Sequence, residues 1–392
     1  MTEETLPQPL IRKRAITGAS VKRFLAFVHL WLGLICGIPF VVLGVSGSLW
    51  MLARDLPVST DAMIQSSDGN LGAIIAAAQT AAPESTHPAA VDLPAQPGAP
   101  ATVRFVRADQ PAGGRPGGGV RLQVDPVSLS VTPDHAQHSG GFERLMHDLH
   151  GRLLIAGPGG RSLVGWLGVF MTCLGLSGIV MWWPRRGQWA NAFTFRFSRN
   201  GLKTNRDMHG AVGIWGLVVF IVVSFSGVYI VFPLTINDAL GAGKVVRDAR
   251  GNPNPVKVAP IEGAEAASVD EAVTLARGEI KGGVVRSVQL PQAADQPFRI
   301  MMAQPGDGSS TPRATVFVDP WTKSVAEVRD PRNYSFVDTF LTWQRPLHAG
   351  LALGWIWWTL VFISGFLPLL FVITGVSMWF LKRRNKRRVM AQ

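Results

Sequence analysis

MHGAVGIWGLVVFIVVSFSGVYI, residues 208–230, contains no acidic or basic side chain apart from its histidine, and VHLWLGLICGIPFVVLGVSGSLW, residues 28–50, shares its layout. His209 is followed 18 residues later by Gly227, and His29 is followed 18 residues later by Gly47. Eighteen residues are five turns at about 3.6 per turn, so a continuous helix sets each histidine and its glycine on one face. Apolar runs of this length are enough to cross a bilayer core, which takes roughly 20 residues. Both stretches read as membrane spans.

Two more windows free of Asp, Glu, Lys and Arg complete the set, giving expected spans at 24–53, 162–184, 208–237 and 346–381. Charge is scarce overall: 16% of residues are charged and 47% hydrophobic, against roughly 25% charged in soluble proteins. The net charge of +12 is also unevenly placed. Residues 1–23, 185–207 and 382–392 hold 17 basic and 3 acidic residues, whereas 54–161 and 238–345 hold 21 basic and 23 acidic. Basic flanks mark the cytoplasmic side, so both termini are expected in the cytoplasm and the two long segments outside it. The basic residues then serve topology and contact with membrane lipid, and no nucleic acid is expected as a partner. The first run is too long for a signal-peptide core and lacks a good cleavage site, so a retained helix is expected. Cys36 and Cys173 lie inside apolar runs, which excludes a disulfide framework, a zinc knuckle and an iron–sulfur cluster.

The whole chain reads as a duplication of one unit: helix, long segment, helix. LHGRLL at His150 leads to LSGIVMWWPRR, and LHAGLA at His348 leads to ITGVSMWFLKRR. VDPVSLSV at 124–131 matches VDPWTKSV at 318–325. Such a repeat implies a pseudo-two-fold axis along the membrane normal. Within each soluble segment the pattern predicts one helix, at 71–82 and 269–280, followed by strands at ATVRFV, GVRLQVD, VRSVQL, PFRIMMA and ATVFVD. Ser268 is expected to cap the second helix. The glycine-rich run at 113–119 reads as a linker, because it lacks the Gly-Lys-Ser/Thr ending of a phosphate loop.

Chemistry concentrates on histidine. His87, His135 and His138 fall in polar stretches, while His29, His209, His147, His150 and His348 cluster at the ends of the spans. Ionisable residues at membrane depth point to function. Two histidines from two helices at one depth, repeated at the opposite face, suit a haem iron held by two imidazoles, and without Cys-x-x-Cys-His any haem is non-covalent b-type. Gly178 and Gly375 reach the depth of His29, whereas Gly47 and Gly227 lie about 27 Å up their helices, so each histidine pair faces a glycine pair that admits a flat macrocycle. Arg152, Arg161 and Arg345 at one end, and Arg23 and Arg206 at the other, are candidates to pair with propionates. Ser177 and Ser226 have no acid or histidine expected beside them, which leaves a nucleophile site unsupported.

VHLWLGLICG, MHGAVGIWG, LHGRLL and LHAGLALGW, together with the duplicated Val-Asp-Pro segments, resemble the PepSY-associated transmembrane proteins over about residues 20–385. These are iron-regulated bacterial inner-membrane proteins that include FoxB-type siderophore reductases. The resemblance implies a four-helix membrane core with two periplasmic α+β PepSY-like domains, and two haem b groups. It assigns His29 with His209, and His150 with His348, as axial pairs, with His147 an alternative to His150. It implies oxidoreductase activity on ferric siderophores, hydroxamate type foremost. Some relatives carry a fused flavin or nicotinamide reductase domain and none is expected after the basic tail, so the electron donor is unassigned, with a quinol and a separate cytoplasmic reductase as candidates. Two other readings remain: a cytochrome b subunit of another redox chain, and a non-redox PepSY-type binding or regulatory protein.

Overall fold

The computed structural model describes residues 18–53, 70–94, 98–107, 119–133, 141–194, 197–243, 256–308 and 311–390. His135, His138 and residues 113–118 of the glycine-rich run lie outside them. The first unit runs α1 (Gly18–Ile35), α2 (Gly37–Ala53), α3 (Leu71–Ala81), β1 (Thr86–Asp92), β2 (Ala101–Arg107), β3 (Arg121–Val124), β4 (Val131–Pro133), α4 (Gly141–Arg152) and α5 (Pro158–Trp182). A short α6 (Trp189–Ala192) joins it to the second. That unit runs α7 (Gly201–Val231), α8 (Pro233–Ala239), α9 (Val269–Glu279), β5 (Val284–Gln289), β6 (Phe298–Ala303), β7 (Ala314–Asp319), β8 (Ser324–Arg329), α10 (Phe336–His348), α11 (Gly354–Ser364) and α12 (Leu367–Met390).

Three helical stretches are long and apolar enough to cross a membrane: α5, α7 and the 37-residue run Gly354–Met390 that holds α11 and α12. Only 22% of each apolar window is buried within the protein. Apolar faces left open at that length need hydrocarbon as their solvent, so the chain is a membrane protein. Helices α1 and α2 pass the same test only together, bent by 64°. The straight first helix expected over 24–53 is therefore broken at Cys36. Pro39 explains the break: proline has no N–H to donate, and its ring crowds the carbonyl four residues earlier, which belongs to Ile35. The matching residue of α7, ten past His209, is Val219, and α7 continues unbroken. The other expected limits shift as well. Pro233 starts α8 and ends the third helix at Val231, and residues 346–348 of the fourth window belong to α10.

Each soluble segment contributes four strands, and the two do not form separate domains. They make one antiparallel eight-stranded sheet in the order β4-β3-β2-β1-β5-β6-β7-β8. The halves meet where β1 pairs with β5, Ala90 opposite Gln289, Val91 opposite Val288 and Asp92 opposite Ser287. A bulge precedes the pairing on both sides, between Pro88 and Ala90 and between Val285 and Ser287. One core serves both halves: Ile74 and Ala78 of α3 and Ala272 and Ala276 of α9 pack on Val91, Val103, Val288, Ile300 and Val316, all buried. The Val-Asp-Pro repeats become matching turns. Asp125 accepts from the Val127 and Ser128 amides, and Asp319 from those of Trp321 and Thr322.

Helices α3 and α9 form where the pattern predicts them, and Ser268 with Glu271 makes a full capping box on α9. Asp270 of α9 also reaches across to α3, accepting from the Leu71 and Gly72 amides at 2.9 and 3.1 Å. Three strands (β1, β4 and β8) and two helices (α4 and α10) go beyond the sequence expectation. Helices α4 and α10 follow the strands in their segments and return the chain to the membrane layer.

Candidate functional site

His150 lies in the last turn of α4 and His348 ends α10, and both turn inward. In α4, Met146 is the buried residue. In α10, Ser335 caps the start by accepting from the Asp338 amide, and the Asp338 carboxylate accepts from Gly243 at 2.7 Å. Residues in the left-handed region end both turns: Leu153 and Leu154 after α4, at φ 52° and 60°, and Gly350 after α10, at φ 76°. The chain then descends into α5 and α11, leaving His150 and His348 on the inner side of the turn.

Two histidine pairs result. On the sheet side of the membrane layer, His150 and His348 have ring centroids 5.8 Å apart. At the other end, His29 and His209 lie 6.2 Å apart. The two sites are separated by about 27 Å along α7, the 18-residue rise from His209 to Gly227, and Gly227 is in contact with His348. His147 takes no part. Its half-exposed ring lies beside Trp50, at 4.7 Å, and near Asp148.

Every histidine of the two pairs has its Nδ1 engaged. His150 donates to the Leu43 carbonyl at 2.8 Å, and His348 to that of Val223 at 2.9 Å with the Ser226 hydroxyl at 3.1 Å. His29 lies 2.8 Å from the Ser177 hydroxyl and His209 2.7 Å from that of Thr374. Those hydroxyls donate to Leu174 and Leu370 in their own helices, so they accept from the imidazoles. A proton fixed on Nδ1 leaves the Nε2 lone pair as the ligating nitrogen, the usual arrangement behind a metal-bound imidazole.

The four glycines sit against these rings in a different way from that expected of them. A Cβ on Gly47 would lie 2.7 Å from His150 Nδ1, and one on Gly227 would lie 3.1 Å from His348 Cε1. On Gly178 and Gly375 it would lie 3.8 and 4.0 Å from the Cε1 atoms of His29 and His209. Gly47 and Gly227 therefore make room for an imidazole of their own unit, whereas at Gly178 and Gly375 a Cβ would meet the ring only at ordinary contact distance. Ser46, Ser177, Ser226 and Thr374 each precede one of these glycines, and three of the four contact a histidine directly. This corrects the expectation that Ser177 and Ser226 have no histidine nearby. No acid joins them, so a catalytic triad does not form. The recurring Ser/Thr-Gly pair was the sequence signal for these supports.

Arg152 is ion-paired with Asp148 in α4, Arg206 lies 3.4 Å from Asp207, and Arg161 donates to the Ile230 carbonyl at 2.7 Å. Arg345 stands one turn before His348 on α10. Among the described residues no three His, Cys, Asp or Glu side chains form a metal cage; the imidazoles come two by two.

A duplicated membrane unit with a shared outer sheet and a histidine pair at each end of its helices defines the class of protein. Over residues 26–382 the chain matches the family described as the PepSY-associated TM region, and it belongs to that family. No curated protein matches the chain.

Proposed function

We propose that the protein is a di-haem b-type reductase of the bacterial inner membrane that passes electrons across the bilayer to ferric siderophores, as its resemblance to FoxB-type reductases suggests. Two facing imidazole pairs with every Nδ1 satisfied carry this reading. An imidazole nitrogen binds a first-row metal at about 2 Å, so two rings on opposite sides of one ion have centres about 6 Å apart. The spacings of 5.8 and 6.2 Å fit that arrangement. A haem held by each pair would supply a one-electron couple at either face of the membrane.

The protein's own groups hold the geometry. The Leu43 and Val223 carbonyls and the Ser177 and Thr374 hydroxyls fix each imidazole tautomer and ring plane. The low-dielectric helices around them exclude water. Arg152 and Arg345, on the last turns of α4 and α10, are the cations that would pair with carboxylates of a bound macrocycle. Hard oxygen ligands favour ferric over ferrous iron, so a single electron loosens a hydroxamate complex. The sheet-side pair lies under the large α+β layer, which offers the surface on which a substrate site can be built. Four spans, with α1 and α2 counted as one, would put both termini on one side, and their basic charge assigns that side to the cytoplasm.

A reduced-minus-oxidised optical spectrum tests the centre of the proposal. Sharp b-type bands with about two haems per chain by pyridine haemochrome are expected, and a colourless protein after haem-supplemented expression overturns it. Stopped-flow mixing of dithionite-reduced protein with ferrioxamine is expected to oxidise it, more slowly in His348→Ala. Reporter fusions after Arg186 and at Gln392 are expected to read as cytoplasmic, and a fusion at Gly308 as periplasmic.

A further inference from the structure

A cavity of about 510 Å³ lies between α7, α11, the start of α12 and the turn at residues 193–194. That volume is within the usual range of small-molecule sites, roughly 300–1,000 Å³. No charged side chain lines it. Trp215 and Ile363 on its wall are 72% and 53% exposed on lipid-facing helices, so the cavity opens sideways into the hydrocarbon. A charged ligand would lose its hydration there without gaining a counter-ion, which leaves neutral, lipid-soluble compounds. Two hydroxyls supply polarity. Ser364 donates to the Val361 carbonyl and Thr194 to that of Asn191, so both retain lone pairs that can accept from a ligand's O–H.

The cavity adjoins the histidine pair distant from the sheet. Ala211 and Val212 on its wall follow His209 by two and three residues. Leu367 lies one turn from Phe371, whose ring is 5.0 Å from His209. The matched place in the first unit is packed with apolar side chains. Seven residues past the histidine, Gly216 in the second unit corresponds to Cys36 in the first. Eleven residues before Gly375 and Gly178 stand Ser364 and Leu167. Cys36 and Leu167 are buried in an apolar cluster with Phe40 and Leu43, whereas Gly216 and Ser364 line the opening. The duplication has kept the histidines and emptied one of two equivalent volumes.

We infer that this cavity binds the ring of a neutral isoprenoid quinol, its hydroxyls donating to Ser364 and Thr194 and its tail leaving past Trp215 and Ile363 into lipid. Oxidation to the quinone gives up two electrons, which reduce two ferric complexes to the ferrous state, and two protons, which pass to water at the membrane edge beside exposed Thr194. The donor role rests on the function proposed above; the binding does not.

Decylubiquinol titrated anaerobically into the full-length protein in lipid nanodiscs tests it, with tryptophan quenching as readout. Saturable quenching is expected for the native chain. Ser364→Leu and Gly216→Cys each import the residue found at the matched place in the first unit, and each is expected to weaken binding at least tenfold. Their thermal unfolding and haem content should match the native protein, which separates a filled cavity from a damaged fold. Absence of saturation in the native chain overturns the inference, as does native affinity in both variants, or phospholipid retained in the cavity and not displaced by the quinol. A protein that binds decylubiquinol yet carries no haem retains the site and loses only the donor role.

Discussion

Helix α7 and the α1–α2 pair occupy the same place in the two units, yet one is straight and the other bends by 64°. The same 18-residue spacing from histidine to glycine runs through both. The difference shows that this spacing does not act through a common helix face. His29 on α1 packs against Gly178 of α5, whereas Gly47 on α2 packs against His150 of α4. Each arm of the bent helix serves a different pair, so a hinge between them leaves both pairs intact. In α7 one continuous rod carries His209 to one site and Gly227 to the other.

The sharpest way to break the equivalence of the two units is to remove one imidazole at a time. His29→Ala or His209→Ala is expected to lower haem from about two per chain to about one, and His150→Ala or His348→Ala to remove the other, because low-spin iron needs both ligands. Full haem content in all four variants would refute the pairing. Substituting the glycines should separate the two ends of the molecule. Gly47→Ala drives a methyl into the His150 ring and is expected to displace the sheet-side haem spectrum. Gly178→Ala and Gly375→Ala, with ordinary contact distances, should leave the distant haem unchanged.

The shared sheet is tested by Asp270→Ala, which strips two amide acceptors from the start of α3. A loss of about 1–2 kcal/mol in unfolding of the α+β layer is expected, visible by hydrogen exchange at residues 71–78. Glu271 gives a smaller, pH-dependent effect. The Ser268 amide and the Lys323 ammonium hold its carboxyl below the usual value of 4.5. A depressed acid stabilises the fold above the unfolded pKa and loses that contribution as pH falls through the folded one. Glu271→Gln should therefore weaken α9 at neutral pH and flatten the acid limb of its melting profile. The mildest contrast lies after α4, where exposed Leu154 adopts the left-handed backbone that glycine supplies after α10. Leu154→Gly is expected to raise stability by up to about 1 kcal/mol by relieving that strain.

Period and charge made the membrane stretches legible in the sequence, and the repeat made the four histidine positions legible, because long apolar runs and exact spacings survive without tertiary information. The break at Cys36 was also written there, in Pro39, but the apolar run on either side masked it. Helices α4 and α10 were missed because their inward stripes are short and α10 contains Pro346, which reads as a stop. Pairing across the molecule was the least legible. Nothing local in β1 or β5 says that two soluble segments will join edge to edge, and the role of each glycine depended on which imidazole folded against it.

The seam between β1 and β5 is symmetric about Val91 and Val288: Ala90 meets Gln289 and Asp92 meets Ser287, with one bulge on each side. Two copies of a single unit could make the same join, strand against identical strand, across a true dyad. Each copy would bring one imidazole to each site, so neither site would exist until two chains met. A half-length ancestor would thus have been an obligate homodimer whose histidine pairs lay at its subunit interface. Fusion into one chain then freed the two halves to diverge, allowing a kink in one and an open chamber in the other.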